Sequence, residues 1–209
     1  MDALRVAALR DRLTGTGWLE AVGGFAGALR HSVERRRASG LLLVGTEVYE
    51  PWHLAAHLDD EASWSDVPRL APTLLRHHPS ADAPAHLTHG LARLTEAGRG
   101  ATVLVVAPAA AGGPLLERLH DARRQGATVL ALDGGGAGGP ADATGPGDFA
   151  ELRGLAHELL AVGTADEEPF DLAQHLVSVA AGQRSGRRSV RDRLAGLAGR
   201  LSAPTISRW

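Results

Sequence analysis

The chain has 209 residues, 44% of them apolar and 22% charged, which is enough for one globular domain with a buried core. It contains no cysteine, which excludes disulfides, thiolate metal sites and cysteine nucleophiles. Residues 181–209 carry +6, from seven arginines and one aspartate; because the whole chain carries −2, the other residues carry −8. An acidic body with a basic tail argues against nucleic-acid binding by the body and leaves it open for the tail.

Residues 1–38 are predicted to be helical, because their apolar residues recur at helical spacing. They form two stripes: Leu4, Val6, Leu9 and Leu13, then Phe25, Leu29 and Val33. The N-terminus lacks a signal-peptide core, and no apolar run approaches the roughly 18 residues needed to span a bilayer. We therefore expect a soluble, cytoplasmic protein without a transmembrane segment.

Three short apolar runs follow, at 41–44, 102–106 and 128–132, and glycine or proline bounds them. Continuous apolar runs of this length are typical of strands buried on both faces. A further strand is expected within 70–77, although Pro72 interrupts it, and an edge strand at 158–162.

Helical segments lie between these runs, at about 52–62, 84–98 and 113–125, with a short turn at 152–156 and a closing helix at 169–180. Strands that alternate with helices indicate parallel βαβ units. The sequence therefore predicts an α/β fold: a three-layer α/β/α sandwich around a mostly parallel, flavodoxin-like sheet of five strands.

The order of these segments resembles the sugar isomerase (SIS) domain, a flavodoxin-like fold that binds phosphosugars. The corresponding stretches are LLLVGTEVYEPWHLAAHL, ATVLVVAPAAAGGPLLERLHDARRQGATVLALD, DFAELRGLAHELLAVG and FDLAQHLVSVAAG, and together they cover about 35–180. The resemblance implies a ligand at the carboxyl edge of the sheet. It divides the chain into an N-terminal helical segment at 1–38, a SIS-like domain at 39–181 and a basic tail at 182–209.

The second ligand loop departs from the SIS pattern. That family binds phosphate with hydroxyls and backbone N–H groups ahead of a helix N-terminus. Here the equivalent loop, 107–114, has no hydroxyl, and Pro108 and Pro114 remove two N–H donors.

The first ligand loop keeps one hydroxyl, Thr46, while Glu47 and Glu50 add negative charge that would repel a phosphate. The catalytic glutamates, histidine and lysine of the isomerases have no convincing counterparts. We therefore expect a non-catalytic module that binds a small polar or sugar-phosphate ligand. Its predicted ligand-binding residues are Gly45, Thr46, Glu47, Gly112, Gly113 and Asp133.

A ladder of potential metal ligands, His53, His57 and Glu61, has i, i+4, i+8 spacing on the helix after the first strand. Phosphoheptose isomerases, a SIS subfamily, place a His and a Glu four apart on this helix and complete a zinc site from the last helix. That resemblance implies zinc at His53 and His57, completed by Gln174 or His175. The alternative is a helix face that carries solvated or interface histidines.

Other features fit ordinary surface structure. Residues 133–147, DGGGAGGPADATGPG, match neither Walker A nor Rossmann spacing, so a flexible surface loop is favoured. The pairs His77-His78 and His86-x-x-His89 have no carboxylate in register and are interpreted as surface histidines.

The basic tail predicts an amphipathic helix that Ser189 could cap. Its apolar stripe, opposite the arginines, is Val190, Leu194, Leu197 and Leu201. Such a segment could fold against a protein partner, lie on an anionic membrane or contact nucleic acid. The alternative is a partly disordered tail.

Three functions follow. The first is a dimeric, non-catalytic SIS-like regulatory or scaffolding protein with a ligand at the sheet edge and no cofactor. The second is a phosphosugar isomerase-like enzyme, zinc-dependent through His53 and His57. The third is an adaptor that binds a membrane or partner through residues 184–209.

Overall fold

The computed structural model describes residues 17–80, 82–135, 146–162 and 168–183. The predicted helix of the basic tail, the first N-terminal stripe and most of the glycine-rich loop lie outside these ranges. No helix within them combines the length and apolar character that crossing a bilayer requires.

The centre of the molecule is a parallel sheet of five strands: β1 (Gly40–Val44), β2 (Pro72–Leu75), β3 (Ala101–Ala107), β4 (Thr128–Asp133) and β5 (Glu158–Ala161). Their order is β2-β1-β3-β4-β5, and every neighbouring pair is parallel. The predicted α/β class and flavodoxin-like strand order are confirmed.

Within the described ranges, five helices connect and cover the strands: α1 (Trp18–Glu34), α2 (Trp52–Trp64), α3 (Gly113–Arg124), α4 (Pro146–Leu155) and α5 (Glu168–Gly182). Helices α1, α2 and α5 share one apolar cluster with the sheet, and α3 and α4 share another on the opposite face. Three short 3₁₀ helices, Pro68–Leu70, Ala85–Leu87 and Leu91–Glu96, occupy the connections after α2 and β2.

Strand β3 is buried along its whole length, which explains its unbroken apolar sequence. Successive side chains of a strand point to opposite faces. Leu104 and Val106 accordingly join the cluster of α1, α2 and α5, whereas Val103 and Val105 join that of α3 and α4.

The helix predicted over about 84–98 is wrong, since this stretch forms two 3₁₀ helices separated by 88–90. The backbone of this gap pairs with the end of β2: the Arg76 N–H donates to the His89 carbonyl at 2.9 Å, and Arg76 and Gly90 form a parallel bridge. Sheet pairing of these residues interrupts the helix. Pro72 is tolerated because it is the first residue of an edge strand.

We predict that Gly100→Ala destabilises the protein by at least about 2 kcal/mol. Gly100 has φ +99°, and a Cβ there would overlap the carbonyl oxygen of Arg37. The matched control is Gly27→Ala in α1, where a Cβ meets nothing within 4 Å. It should stabilise the protein by about 0.5–1 kcal/mol through helix propensity.

Urea denaturation of both variants measures these changes. If Gly100→Ala left the free energy of unfolding unchanged, the close packing of Gly100, just before β3, against Arg37, in the segment before β1, would be contradicted.

Candidate functional site

The strand order places a crevice at the carboxyl edge of the sheet, between β1 and β3. The chain continues from β1 through α2 to β2 on one side, and from β3 through α3 to β4 on the other. Such a switch point is where open α/β sheets bind ligands. The loops that border it, 45–51 and 108–112, contain four of the six predicted ligand-binding positions, and a fifth, Gly113, begins α3.

Thr46 lies at this crevice with an unsatisfied hydroxyl. The residue is 1% exposed, and its Oγ1 has no hydrogen-bond partner. Val44, the last residue of β1, packs in the cluster of α3, and Thr46 follows it by two residues in the loop at the end of the strand. A buried hydroxyl without a partner costs about 1–3 kcal/mol and therefore marks a position where a ligand atom would be favourable.

Gly45 shapes the loop that follows β1. A Cβ on Gly45 would overlap the backbone oxygen of Tyr49, because the chain turns back tightly there. The Tyr49 N–H donates to the Thr46 carbonyl at 3.1 Å, and His77 Nε2 donates to the Gly45 carbonyl at 3.0 Å. Glu47, at the turn, is exposed.

An ion pair and an indole ring stand beside this loop. Arg76 Nε donates to both carboxylate oxygens of Glu50, at 2.9 and 3.1 Å, and the Trp52 indole N–H donates to the same carboxylate at 2.8 Å. The Arg76 guanidinium carbon lies 5.4 Å from the Trp52 ring centroid, within cation–π range. This cation is therefore already engaged by a carboxylate and an aromatic ring. Sequence analysis missed Arg76 and Trp52, because the cluster forms only when Arg76 pairs with Glu50, 26 residues earlier in the chain.

The α3 N-terminus offers few donors for an anion. The N-cap residue is Gly112, which has no side chain that could cap the helix, and Pro114 lacks an N–H. The N–H groups of Leu115 and Leu116 both turn back to the Gly112 carbonyl, at 3.0 and 3.2 Å. Gly113, which is exposed, is the first-turn residue most open to a ligand.

Asp133 is held by the protein itself. It is fully buried at the end of β4, where Oδ1 accepts the Gly135 N–H at 2.7 Å and Oδ2 accepts Arg153 Nε at 2.6 Å. Each oxygen keeps further acceptor capacity, but the residue is 0% exposed, so burial limits its access to a ligand. Its predicted role in ligand binding stays a prediction.

A histidine cluster joins α2 to α5. His57 Nε2 lies 2.8 Å from His53 Nε2 and 3.3 Å from His175 Nδ1, and the ring centroids are 4.5 and 4.6 Å apart. Of the two residues proposed from the last helix, His175 reaches the ladder. Gln174 instead bonds Tyr49, whose hydroxyl accepts its amide N–H at 2.9 Å.

The two contacts of His57 differ in how well they match a zinc site: its 3.3 Å separation from His175 Nδ1 matches, whereas its 2.8 Å separation from His53 Nε2 is too short. Nitrogens bound at about 2.0–2.1 Å to a tetrahedral zinc lie about 3.3 Å apart, so 2.8 Å between the two Nε2 atoms fits a hydrogen bond better. Glu61 lies against the backbone of Gly182. Within the described residues, no group of three or more His, Asp or Glu side chains is arranged to hold a metal ion.

Two imidazoles of the cluster, those of His57 and His175, are harder to protonate than a free histidine side chain. Burial lowers the pKa of both His57 and His175, and proximity to the other histidines lowers it further. Asp60 opposes this change at His57. Burial, with a smaller effect of Asp60, raises the pKa of Glu61. A hydrogen bond between two imidazoles needs at least one neutral ring, so the lowered pKa values and the contacts are consistent.

Comparison with solved structures identifies the fold as SIS-like. A protein provisionally named as sugar-binding, from Salmonella typhimurium LT2, aligns with a TM-score of 0.55 and 18% identity over 95% of this chain and 51% of its own. A provisionally named phosphosugar isomerase from Silicibacter pomeroyi DSS-3 aligns with a TM-score of 0.49 and 16% identity, over 90% of this chain and 50% of its own.

The likeness to the Salmonella protein concerns the fold, and the SIS-like fold implied by the sequence resemblance is confirmed. This chain spans about half the length of each of the two proteins. No protein-family model matches the chain, and no curated protein matches it either.

We predict that the folded state loses stability as the pH falls below about 6.5. The unfolded chain protonates His57 and His175 at their ordinary pKa, whereas the folded chain resists protonation until the pH is lower. The unfolded state therefore binds more protons in this window, and the free energy of unfolding decreases as the pH falls.

Urea denaturation between pH 7.5 and 5.5 measures this slope. His175→Asn should make it shallower, and His86→Asn, at an exposed histidine outside the cluster, should leave it unchanged. If His175→Asn and the wild type showed the same dependence of the free energy of unfolding on pH, the proposed link between protonation of the histidine cluster and stability would be contradicted.

Proposed function

We propose that this protein is a non-catalytic, SIS-like regulatory or scaffolding protein that binds a small polar ligand in the crevice between β1 and β3. The observation that carries the proposal is the buried, unpartnered hydroxyl of Thr46 at the switch point. A cytoplasmic location is part of the same proposal.

The chemistry of the crevice favours an uncharged or ammonium-bearing ligand over a phosphate. A phosphate would meet the carboxylates of Glu47 and Glu50. Arg76 is already paired with Glu50, and His78 Nε2 lies 3.4 Å from Glu47 Oε1. The α3 N-terminus adds little, because its first turn contains Pro114 and N–H groups that are already bonded. Hydroxyl and ammonium groups, by contrast, can donate to the carboxylates and bond Thr46.

A dimer is the proposed assembly. The Salmonella protein with the same fold is about twice as long as the segment that aligns with this chain. Two copies of this chain would supply a comparable length. Size-exclusion chromatography with light scattering tests the assembly directly, and a monomer at micromolar concentration would contradict it.

The isomerase-like alternative with zinc at His53 and His57 stays a prediction. The contact of His175 with His57 favours it, whereas the 2.8 Å separation within the ladder does not. Metal analysis of the purified protein separates the two functions. Stoichiometric zinc that is lost in His57→Ala would support the enzyme, and zinc-free protein that still binds its ligand would support the non-catalytic module.

We predict that Thr46→Val makes the ligand-free protein more stable by about 1–2 kcal/mol and abolishes ligand binding. Valine keeps the shape of threonine but removes the unsatisfied hydroxyl. In a chain of this size the gain should raise the Tm by roughly 2–8 °C. Thermal shift with glucose, glucosamine and glucose 6-phosphate measures both effects.

Thr46→Ser is the matched control, since it keeps the hydroxyl and should keep ligand binding. We expect glucose or glucosamine to stabilise the wild type more than glucose 6-phosphate does. A Thr46→Val variant that is no more stable and binds equally well would exclude Thr46 from the site.

A further inference from the structure

A buried glutamine of α5 is a polar group in an apolar setting. Gln174 is 0% exposed, and its neighbours Ala173 and Val177 belong to the apolar cluster that α1, α2 and α5 share with the sheet. Burying an amide is unfavourable unless hydrogen bonds replace those it made with water. An apolar side chain of similar size would serve folding at this position, so the contacts of the amide indicate what Gln174 does.

The side chain of Gln174 holds the phenol of Tyr49, which belongs to the loop 45–51 after β1. Gln174 Nε2 donates to Tyr49 Oη at 2.9 Å, and Gln174 Oε1 accepts the Tyr49 hydroxyl at 3.2 Å. Nε2 also donates to Asp171 Oδ1 at 3.1 Å, which orients the amide on the helix. The Tyr49 ring meets the Phe170 ring edge-on, with centroids 6.2 Å apart. Helix α5 therefore fixes a side chain that lies 125 residues away in the sequence.

The backbone of Tyr49 in turn shapes the residues of the proposed ligand site. Its N–H donates to the Thr46 carbonyl at 3.1 Å, and the two residues form an isolated antiparallel bridge. Its carbonyl oxygen occupies the place that a Cβ on Gly45 would need. A chain of contacts thus runs from Gln174 through Tyr49 to both Gly45 and Thr46.

The hydroxyl of Thr46 gives this chain of contacts a consequence for the ligand site. Thr46 is 1% exposed and its Oγ1 has no hydrogen-bond partner. Such an unfavourable arrangement persists where the surrounding structure determines the backbone. The bonds of Tyr49 to α5 are one of the contacts that determine it, as a supporting shell does for a preorganised site.

We propose that Gln174 is a positioning residue of the ligand site. Through Tyr49 it holds the loop 45–51 in the shape that places Thr46 for the ligand, and its own amide, which is buried and hydrogen-bonded, acts on the ligand only through that loop. This inference rests on the proposed ligand site at Thr46. It adds α5 to a site that the strand order alone would assign to the loops after β1 and β3.

Hydrogen exchange of the amides of 45–51, followed by mass spectrometry, tests the inference in the ligand-free protein. Gln174→Met removes the amide at nearly constant volume, and Tyr49→Phe removes the phenolic hydroxyl alone. Each variant should exchange these amides about fivefold faster than the wild type, which is the expected effect of one lost buried hydrogen bond. Amides of β3 report global opening and serve as the internal reference.

The double variant Tyr49→Phe, Gln174→Met separates positioning of the loop from a contribution to folding alone. Removing both partners leaves neither of them unpaired, so the double variant should recover much of the stability that Tyr49→Phe loses. Its loop should still exchange as fast as in either single variant, because the bond to α5 is absent in all three.

The matched control is Ser178→Ala. Ser178 is also fully buried in α5, but its hydroxyl donates to the His175 carbonyl at 2.8 Å and not to the loop 45–51. This variant therefore removes a buried hydrogen bond from the same helix and should leave exchange of the loop amides, relative to those of β3, at the wild-type rate. Unchanged loop exchange in Gln174→Met, or an equal increase in Ser178→Ala, would overturn the inference.

Thermal shift with glucose and glucosamine extends the test to the ligand site. The probe that stabilises the wild type should bind about fivefold more weakly to Gln174→Met and to the double variant, and equally well to Ser178→Ala. Faster loop exchange with unchanged probe binding would also overturn the inference, because the bond would then serve folding alone. If neither probe stabilises the wild type while loop exchange responds as expected, the proposed ligand fails, whereas the hold of Gln174 on the loop is supported.

Discussion

Burial of β3 on both faces is the constraint on which the rest of the structure depends. Its seven residues pair with β1 on one side and β4 on the other, and helices cover both faces. No exposed polar side chain fits along such a strand, so polar chemistry is confined to the two ends of the strands. Thr46 and Asp133 lie at the carboxyl end, and Arg99 lies just before the amino end of β3.

The parallel topology also gives the two edges different electrostatic character. Each crossover helix returns the chain, so α2 and α3 begin at the crevice and end at the amino edge of the sheet. Helix C-termini favour cations, which fits arginines at that end. The crevice lies beside positive helix N-termini yet carries Glu47 and Glu50. The carboxylates thus offset the field that would otherwise attract a phosphate.

Strands and layers could be predicted from the sequence because apolar runs such as 102–106 depend on local pattern alone. The ion pair of Arg76 with Glu50 could not, since it arises only when β2 aligns beside β1. The choice of His175 over Gln174 depends on how α5 is rotated against α2, which i, i+4 spacing does not determine. The interruption at 88–90 likewise follows from sheet pairing rather than helix propensity.

Two buried hydroxyl groups among the described residues have no hydrogen-bond partner, and they differ in their place on the sheet. Within the described residues, Thr46 and Ser65 hold the buried side-chain oxygens that lack a hydrogen bond, and they lie at opposite ends of the sheet. Ser65 follows α2, where its backbone N–H already caps the helix by donating to Glu61. The backbone of Thr46 is likewise engaged, since its carbonyl accepts the Tyr49 N–H at 3.1 Å. Position therefore distinguishes the two hydroxyls: Thr46 lies at the switch point of the parallel sheet, where α/β folds bind ligands, and Ser65 lies at the opposite edge.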